Sequence, residues 1–358
     1  MKKRIPFYLF IALLIFTSCK NNEKKRIISS ENNTFYKTDT NDRTNDFYDN
    51  EKNINLAGPR SIEVTGEISN PGVVSYSSLP VRSVIVKETL LKENGNSFVG
   101  AYRYDGYSLY DILNKCILNK KNAKEFPPII DLYVEIINNK KEKVVISWGE
   151  LYYPANRYKI IIATKVMHIV PSKSKDLWPL PTETKLIVGT DLITERNISN
   201  PTKIIIKSIH KHYDIKKGAK FYAPELNLKK DNQIIETLKI IPKNIQIETI
   251  PAIFYGRGRG IHSITPFKGI YLKTFLNNYF EINKENLQHG MFTIAGSDGY
   301  HAAFTFSEIM NRNDNAEILL IDKGNYKKAG KFSLFATPDF FSDRAIKSIN
   351  EIDFSIVK

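Results

Sequence analysis

Cysteine is almost absent: the 358 residues include two, Cys19 and Cys116, so no disulfide framework holds this chain together. Also absent are His-Glu-x-x-His, Gly-x-Ser-x-Gly, Cys-x-x-Cys and the phosphate-loop lysine motif. Hydrolase, zinc and nucleotide-hydrolysing readings lose their usual support with them. The apolar run Ile5 to Phe16 is too short to span a bilayer comfortably. What is present is globular chemistry, 42% hydrophobic and 25% charged, which excludes wholesale disorder. Tyr and Phe, 19 and 20 of them, stand beside many Ile and Val, a composition that favours strands over helices. The length exceeds that of a usual single core, so two domains are expected.

Met1-Lys2-Lys3-Arg4 followed by Ile5 to Phe16 reads as the basic and apolar regions of a signal peptide. Phe16-Thr17-Ser18-Cys19 then resembles a bacterial lipobox, in which small residues admit the peptidase and the Cys19 thiol receives the diacylglyceryl group. The alternative is an ordinary signal peptide with a chance cysteine. Acyl chains contribute ~0.8 kcal/mol per buried CH₂, so several give a lasting membrane anchor. Residues 1–18 are thus expected to be removed and 19–57, rich in Asn, Asp, Lys, Thr and Ser, to form a flexible tether. Loss of Lys2, Lys3 and Arg4 lowers the formal charge from +14 to +11. A basic protein on an extracytoplasmic membrane face meets anionic headgroups or acidic ligands, and nucleic acid is not an expected partner there. Cys116 is expected to be a half-buried structural thiol.

The chain repeats itself. Leu186-Ile187-Val188-Gly189-Thr190-Asp191, running on through Arg196 to Ile204, matches Leu334-Phe335-Ala336-Thr337-Pro338-Asp339, running through Arg344 to Ile352, without a gap. Upstream, Gly106, Leu109, Leu113 and Asn114 match Gly269, Leu272, Leu276 and Asn277. A strand pair Val134–Ile137 with Val144–Ser147 matches Phe292–Ile294 with Ala302–Thr305. Order is expected to begin at Ser61–Ile68, an alternating strand closed by the turn Asn70-Pro71-Gly72. Tyr107–Leu113 has helical spacing with Ser108 as its N-cap. The expected units are residues 58–215 and 220–358, divided where Lys216-Lys217-Gly218 breaks the pattern.

The order strand, Asn-Pro turn, Gly-x-x-Leu-x-x-x-Leu helix, strand, Asp-Gly-Tyr, strand, then Asp and Arg before a last strand resembles the molybdopterin-binding domain of the sulfite oxidase family. The residues that carry it are Val64 to Pro71, Gly106 to Leu113, Asp298-Gly299-Tyr300, and Pro338-Asp339 with Arg344. The resemblance covers most of residues 60–358. It implies an α+β fold: two tandem sulfite-oxidase-like domains with mixed short-stranded sheets and few helices. It also implies a molybdopterin cofactor whose metal takes a cysteine thiolate from a loop before the helix. Glu93-Asn94-Gly95-Asn96 and Phe254-Tyr255-Gly256-Arg257 stand there, without a cysteine, and a soft thiolate is not readily replaced. No cofactor is therefore assigned.

Two segments carry candidate ligand-binding residues. Tyr255-Gly256-Arg257-Gly258-Arg259-Gly260-Ile261-His262 alternates glycines, which let backbone N–H groups converge, with arginine forks suited to phosphate, sulfate or carboxylate. Arg257, Arg259 and His262 form this rim; the alternative is a hairpin with solvated arginines. Asp298, Tyr300 and His301 form the opposite rim, against the alternative of a simple Asp-Gly turn. His210 and His212 read as a surface pair. The repeated Asp191/Arg196 and Asp339/Arg344 read as fixing turns. The expected function is that of a membrane-anchored extracytoplasmic lipoprotein binding an anionic or pterin-like small molecule, or an envelope protein, without redox turnover. The alternatives are a molybdopterin-dependent oxidoreductase with a non-cysteine metal environment, and an envelope-complex scaffold.

Overall fold

A computed structural model describes residues 53–93, 95–153, 157–171, 174, 176–215, 222–258, 260–324 and 330–358. The expected signal peptide, Cys19, most of the expected tether and Arg259 lie outside the described residues. Strands take 47% and helices 11% of the described residues.

The first half runs β1 (Ile54–Asn55), β2 (Ser61–Gly66), β3 (Gly72–Ser75), β4 (Arg82–Lys92), β5 (Gly95–Ser108) and α1 (Leu109–Leu113). It continues through β6 (Leu132–Asn138), β7 (Lys143–Ser147), α2 (Trp148–Tyr152), β8 (Ile160–His168), β9 (Lys185–Val188) and β10 (Pro201–Ser208). The second half opens with β11 (Leu226–Lys230), β12 (Gln233–Leu238), β13 (Glu248–Ile250), β14 (Phe254–Gly256), β15 (Gly260–Ser263) and β16 (Phe267–Tyr271). Then come α3 (Leu272–Leu276), α4 (Lys284–His289), β17 (Gly290–Gly296), β18 (His301–Thr305) and α5 (Phe306–Met310). It closes with β19 (Ile318–Asp322), β20 (Phe332–Ala336), β21 (Ile346–Lys347) and β22 (Ile349–Ile356).

Among the described residues these form four five-stranded sheets and one two-stranded hairpin. The first sheet orders β1-β8-β5-β4 with β9 also on β8, and the second orders β3-β2-β10-β6-β7. The third orders β12-β11-β22-β17-β18, the fourth β13-β16-β19-β20-β21, and β14 pairs β15 apart from them. The four small sheets are arranged as a four-bladed β-propeller. This overturns the α+β expectation of two sulfite-oxidase-like domains. Its physical reason lies in the landmark glycines. Gly106 and Gly269 sit inside β5 and β16 rather than opening helices, and an added Cβ would meet the Ile162 carbonyl oxygen at 2.1 Å or that of Leu320 at 2.6 Å. They permit close strand packing, and the helices that follow have five residues each. Order also begins earlier than expected, because β1 pairs β8 and Leu56 is buried.

The second and third sheets share one topology. β2 lies parallel to β10 and β11 parallel to β22; β6–β7 and β17–β18 are antiparallel pairs. β7, β17 and β18 are buried on nearly every residue, so they read as continuous apolar runs rather than alternating ones. One core joins the halves: Phe126, Ile130, Tyr153 and Ile193 pack with Phe292, Phe304, Phe306 and Phe354.

The repeated acid and base meet at that junction. Arg196 grips Asp191 through two nitrogens, at 2.8 and 2.6 Å, and Glu150 at 2.7 Å. Arg344 grips Asp339 in the same way, at 2.8 and 2.6 Å, and Glu308 at 2.5 Å. Glu150 and Glu308 also close the capping boxes of α2 with Ser147 and of α5 with Thr305. The boxes cross between halves: Ser147 Oγ donates to Glu308 at 2.7 Å, and Thr305 Oγ1 to Glu150 at 2.8 Å. Burial opposes the Glu150 charge, but Arg196, Ser147 and Thr305 outweigh it and hold the carboxyl below its usual range. Gly149 lets α2 lie against Arg344, whose Cζ would be 2.0 Å from an added Cβ.

Candidate functional site

The repeat is broken between β13 and β16, and this break makes a cleft. In the first half β4 and β5 form one hairpin, paired from Arg82↔Gly106 to Lys92↔Gly95. In the second half the equivalent ladder β13–β16 ends at Ile250↔Phe267, between Pro251 and Pro266. Proline has no N–H to donate, so the ladder cannot run on through either residue. The chain beyond forms the separate hairpin β14–β15, which folds over the outer face of the fourth sheet. Phe254 reaches Phe335 at 5.8 Å between ring centroids, and Phe267 stacks on Phe335 at 4.1 Å, nearly parallel at 9°. In the first half the corresponding face is filled instead by Trp178 and Leu180, packed on Tyr102, Tyr104 and Ile187.

Between hairpin and sheet lies a cleft of about 1190 Å³. Phe254, Phe267 and His262 form its hairpin side, with the His262 ring edge-on to Phe254 at 5.2 Å. Its floor is a row across three strands, because Ser333 pairs Ile321 on β19 and Lys347 on β21. Cross-strand partners share a face, and so do residues two apart. Ser333, Lys347 and Phe335 therefore point the same way, and they line the cleft together with Lys323, one residue past the end of β19. Neither lysine forms an ion pair with any described residue. The Ser333 hydroxyl is buried, the residue 6% exposed, and has no hydrogen-bond partner. An unmet buried hydroxyl costs ~1–3 kcal/mol, so this strand is built at some expense of stability.

The structure divides the residues expected to share one site. His262 and Tyr300 line the large cleft. Arg257, in the turn of the hairpin, points elsewhere. It pairs Asp343 at 2.9 Å, lies 4.5 Å over Phe341, and lines a separate cavity of about 390 Å³ with Tyr300 and Tyr153. Partial burial works against its charge, and Asp343 more than offsets this. Tyr300 stands between the two cavities and donates its hydroxyl to the Asp343 carbonyl at 2.7 Å. Asp298 caps the turn, accepting from the Tyr300 N–H at 3.1 Å. His301 is not on a rim. It is 2% exposed, sandwiched between Phe126 at 4.0 Å and Tyr213 at 4.6 Å, because strand alternation turns it inward after Tyr300. His210 and His212 are exposed.

Lys323, Lys347 and Ser333 are absent from the sequence reading. The available signal was local: Ser333 interrupts the apolar run Phe332 to Ala336, an outward position expected to be apolar if covered and charged if open. The residues do not fit a molybdenum cofactor. Glu93 is exposed at the tip of the β4–β5 hairpin, and Phe254–Gly256 form a strand. The described thiol, Cys116, lies apart from both, beside Asn70 and Val74, and burial pushes it up, away from thiolate. No family model matches the chain, and no curated protein matches it.

Proposed function

We propose that this chain is a lipid-anchored extracytoplasmic binding protein that holds a small anionic molecule in the cleft between β14–β15 and the fourth sheet, without redox turnover. The observation that carries this reading is the pair Lys323 and Lys347. Both line a concave, partly aromatic site and lack an acidic partner among the described residues. Both lysines are exposed, so each contributes on the scale of a surface ion pair, ~0–1 kcal/mol, to holding an anion. His262 and Ser263 add directional partners at the hairpin side. Acylation of Cys19 would keep the protein at the membrane face. Molybdopterin-dependent oxidation is not carried forward, since both its fold and its thiolate are missing.

The test is thermal stability of the mature chain in millimolar phosphate, sulfate and benzoate. A saturable upward shift is expected for at least one anion, reduced by Lys323→Ala and abolished by Lys323→Ala with Lys347→Ala. Equal shifts in wild type and double variant would sink the reading. A second reading, docking to an envelope protein, is favoured by the exposed patch Tyr255, Ile261 and Phe340, of which the last two are 65% and 61% exposed. It predicts that Ile261→Ser with Phe340→Ser releases a co-purifying protein while leaving anion binding intact.

A further inference from the structure

We infer that the ligand of this cleft is a planar aromatic anion, with Ser333 as the residue that fixes its anionic end. The inference rests on the anion-binding reading above and adds the body of the ligand and its orientation. Three observations combine. The first is the polarity of the floor, where Ser333 pairs Lys347 across the sheet and Lys323, just past the end of β19, lines the same cleft. The second is what borders it. Phe335, two residues on from Ser333, is 3% exposed beneath Phe267, which stacks on it at 4.1 Å, so the half-buried Phe267 and Phe254 rings are the aromatic surface a ligand meets. The cleft thus has a cationic, hydrogen-bonding end and an aromatic side. The third is the orphaned hydroxyl itself. Ser333 has no partner, and hydroxyls at such depth are bonded in nearly all folded proteins. A carboxylate or phosphate oxygen accepting from Ser333 and both lysines would satisfy it.

The width of the site argues against a bare inorganic anion. Phosphate would occupy the Ser333–Lys347 end and leave the Phe254, Phe267 and His262 side of a cleft of about 1190 Å³ unfilled. Stacked aromatic walls favour flat partners, because offset stacking and edge-to-face contact both need a ring. A saturated ring system of equal area buries similar surface and forfeits that geometry.

The experiment titrates three probes by calorimetry into the mature chain: naphthalene-2-carboxylate, its fully saturated bicyclic carboxylate analogue, and inorganic phosphate. Naphthalene-2-carboxylate is expected to bind at least ten-fold more tightly than either of the others. Ser333→Ala is expected to weaken it five-fold or more while leaving the melting temperature unchanged or raised, since the variant loses an unmet hydroxyl. Phe267→Leu is expected to remove most of the preference for the flat probe over the saturated one. Equal affinity for the two bicyclic carboxylates overturns the aromatic assignment and leaves the anion reading standing. Unchanged affinity in Ser333→Ala overturns the assigned orientation. Binding of phosphate alone does both, and binding of none of the three removes the anion reading as well.

Discussion

Removing Arg196 should cost this protein more than any surface change. The side chain is fully buried and holds Asp191 and Glu150, both nearly inaccessible to water. Arg196→Met keeps most of the apolar stem and deletes the charge, leaving two carboxylates facing each other without a cation. Breaking a buried pair from one side costs about 3–5 kcal/mol, because the abandoned charge stays desolvated. Thr305 loses an Nη1 partner at 3.2 Å, and its hydroxyl is the one that crosses to Glu150. A loss of about 4 kcal/mol is expected in urea unfolding, a large share of the ~5–15 kcal/mol of a typical domain. Arg344→Met should behave alike, and the two together should depart from additivity by at least ~1 kcal/mol, because the capping boxes cross between halves. Replacing Arg196, Asp191 and Glu150 together by apolar residues of similar size should recover much of the loss. A loss below ~1 kcal/mol for Arg196→Met, or strict additivity with Arg344→Met, would refute the view that one buried network joins the halves.

Gly149→Ala has an opposite sign in two arguments. Helix propensity alone makes it stabilising by ~1 kcal/mol, whereas its Cβ would sit 2.0 Å from the Arg344 Cζ. Destabilisation by ~3 kcal/mol or more is expected, measured as a fall in the urea midpoint. Acid sensitivity should trace in part to Glu351. Burial raises its carboxyl, but Lys211, Lys229 and Tyr213 outweigh this and hold it below its ordinary 4.5. A folded value below the unfolded one means this contribution is intact above pH 4.5 and is lost as pH falls through the depressed value. Glu351→Gln should therefore flatten the melting-temperature profile between about pH 5 and 3, and an unchanged slope would contradict the assignment.

Local structure was legible where local chemistry decides it. Ser108 caps α1 by accepting from the Asp111 N–H at 3.0 Å, as its position before an apolar period suggests. The strand pairs Val134–Ile137 with Val144–Ser147 and Phe292–Ile294 with Ala302–Thr305 form as read. The reading that Asp191/Arg196 and Asp339/Arg344 fix turns also holds, since each arginine closes on the acid five residues before it. The fold class was not legible. A Gly-x-x-Leu-x-x-x-Leu spacing serves equally for a helix start and for a strand that needs a bare Cα against a neighbouring carbonyl, and Gly106 and Gly269 are the second kind. The site was half legible. Arg257 drew attention as a charge among glycines, but Asp343 and the aromatic faces of Phe341 and Tyr153 take that charge up. Ser333 and Lys347 come from neighbouring strands and Lys323 from the residue after β19, and only the sheet brings these three distant positions to one cleft.

Hydrogen exchange with and without naphthalene-2-carboxylate addresses the cleft most directly. Slowed exchange is expected in 254–267, 318–323 and 332–347 and at Tyr300, which together line it, with 144–152 and 303–310 at the central network unaffected. Binding accompanied by protection outside these lining residues and absent from them would contradict the assignment of this cleft as the ligand site.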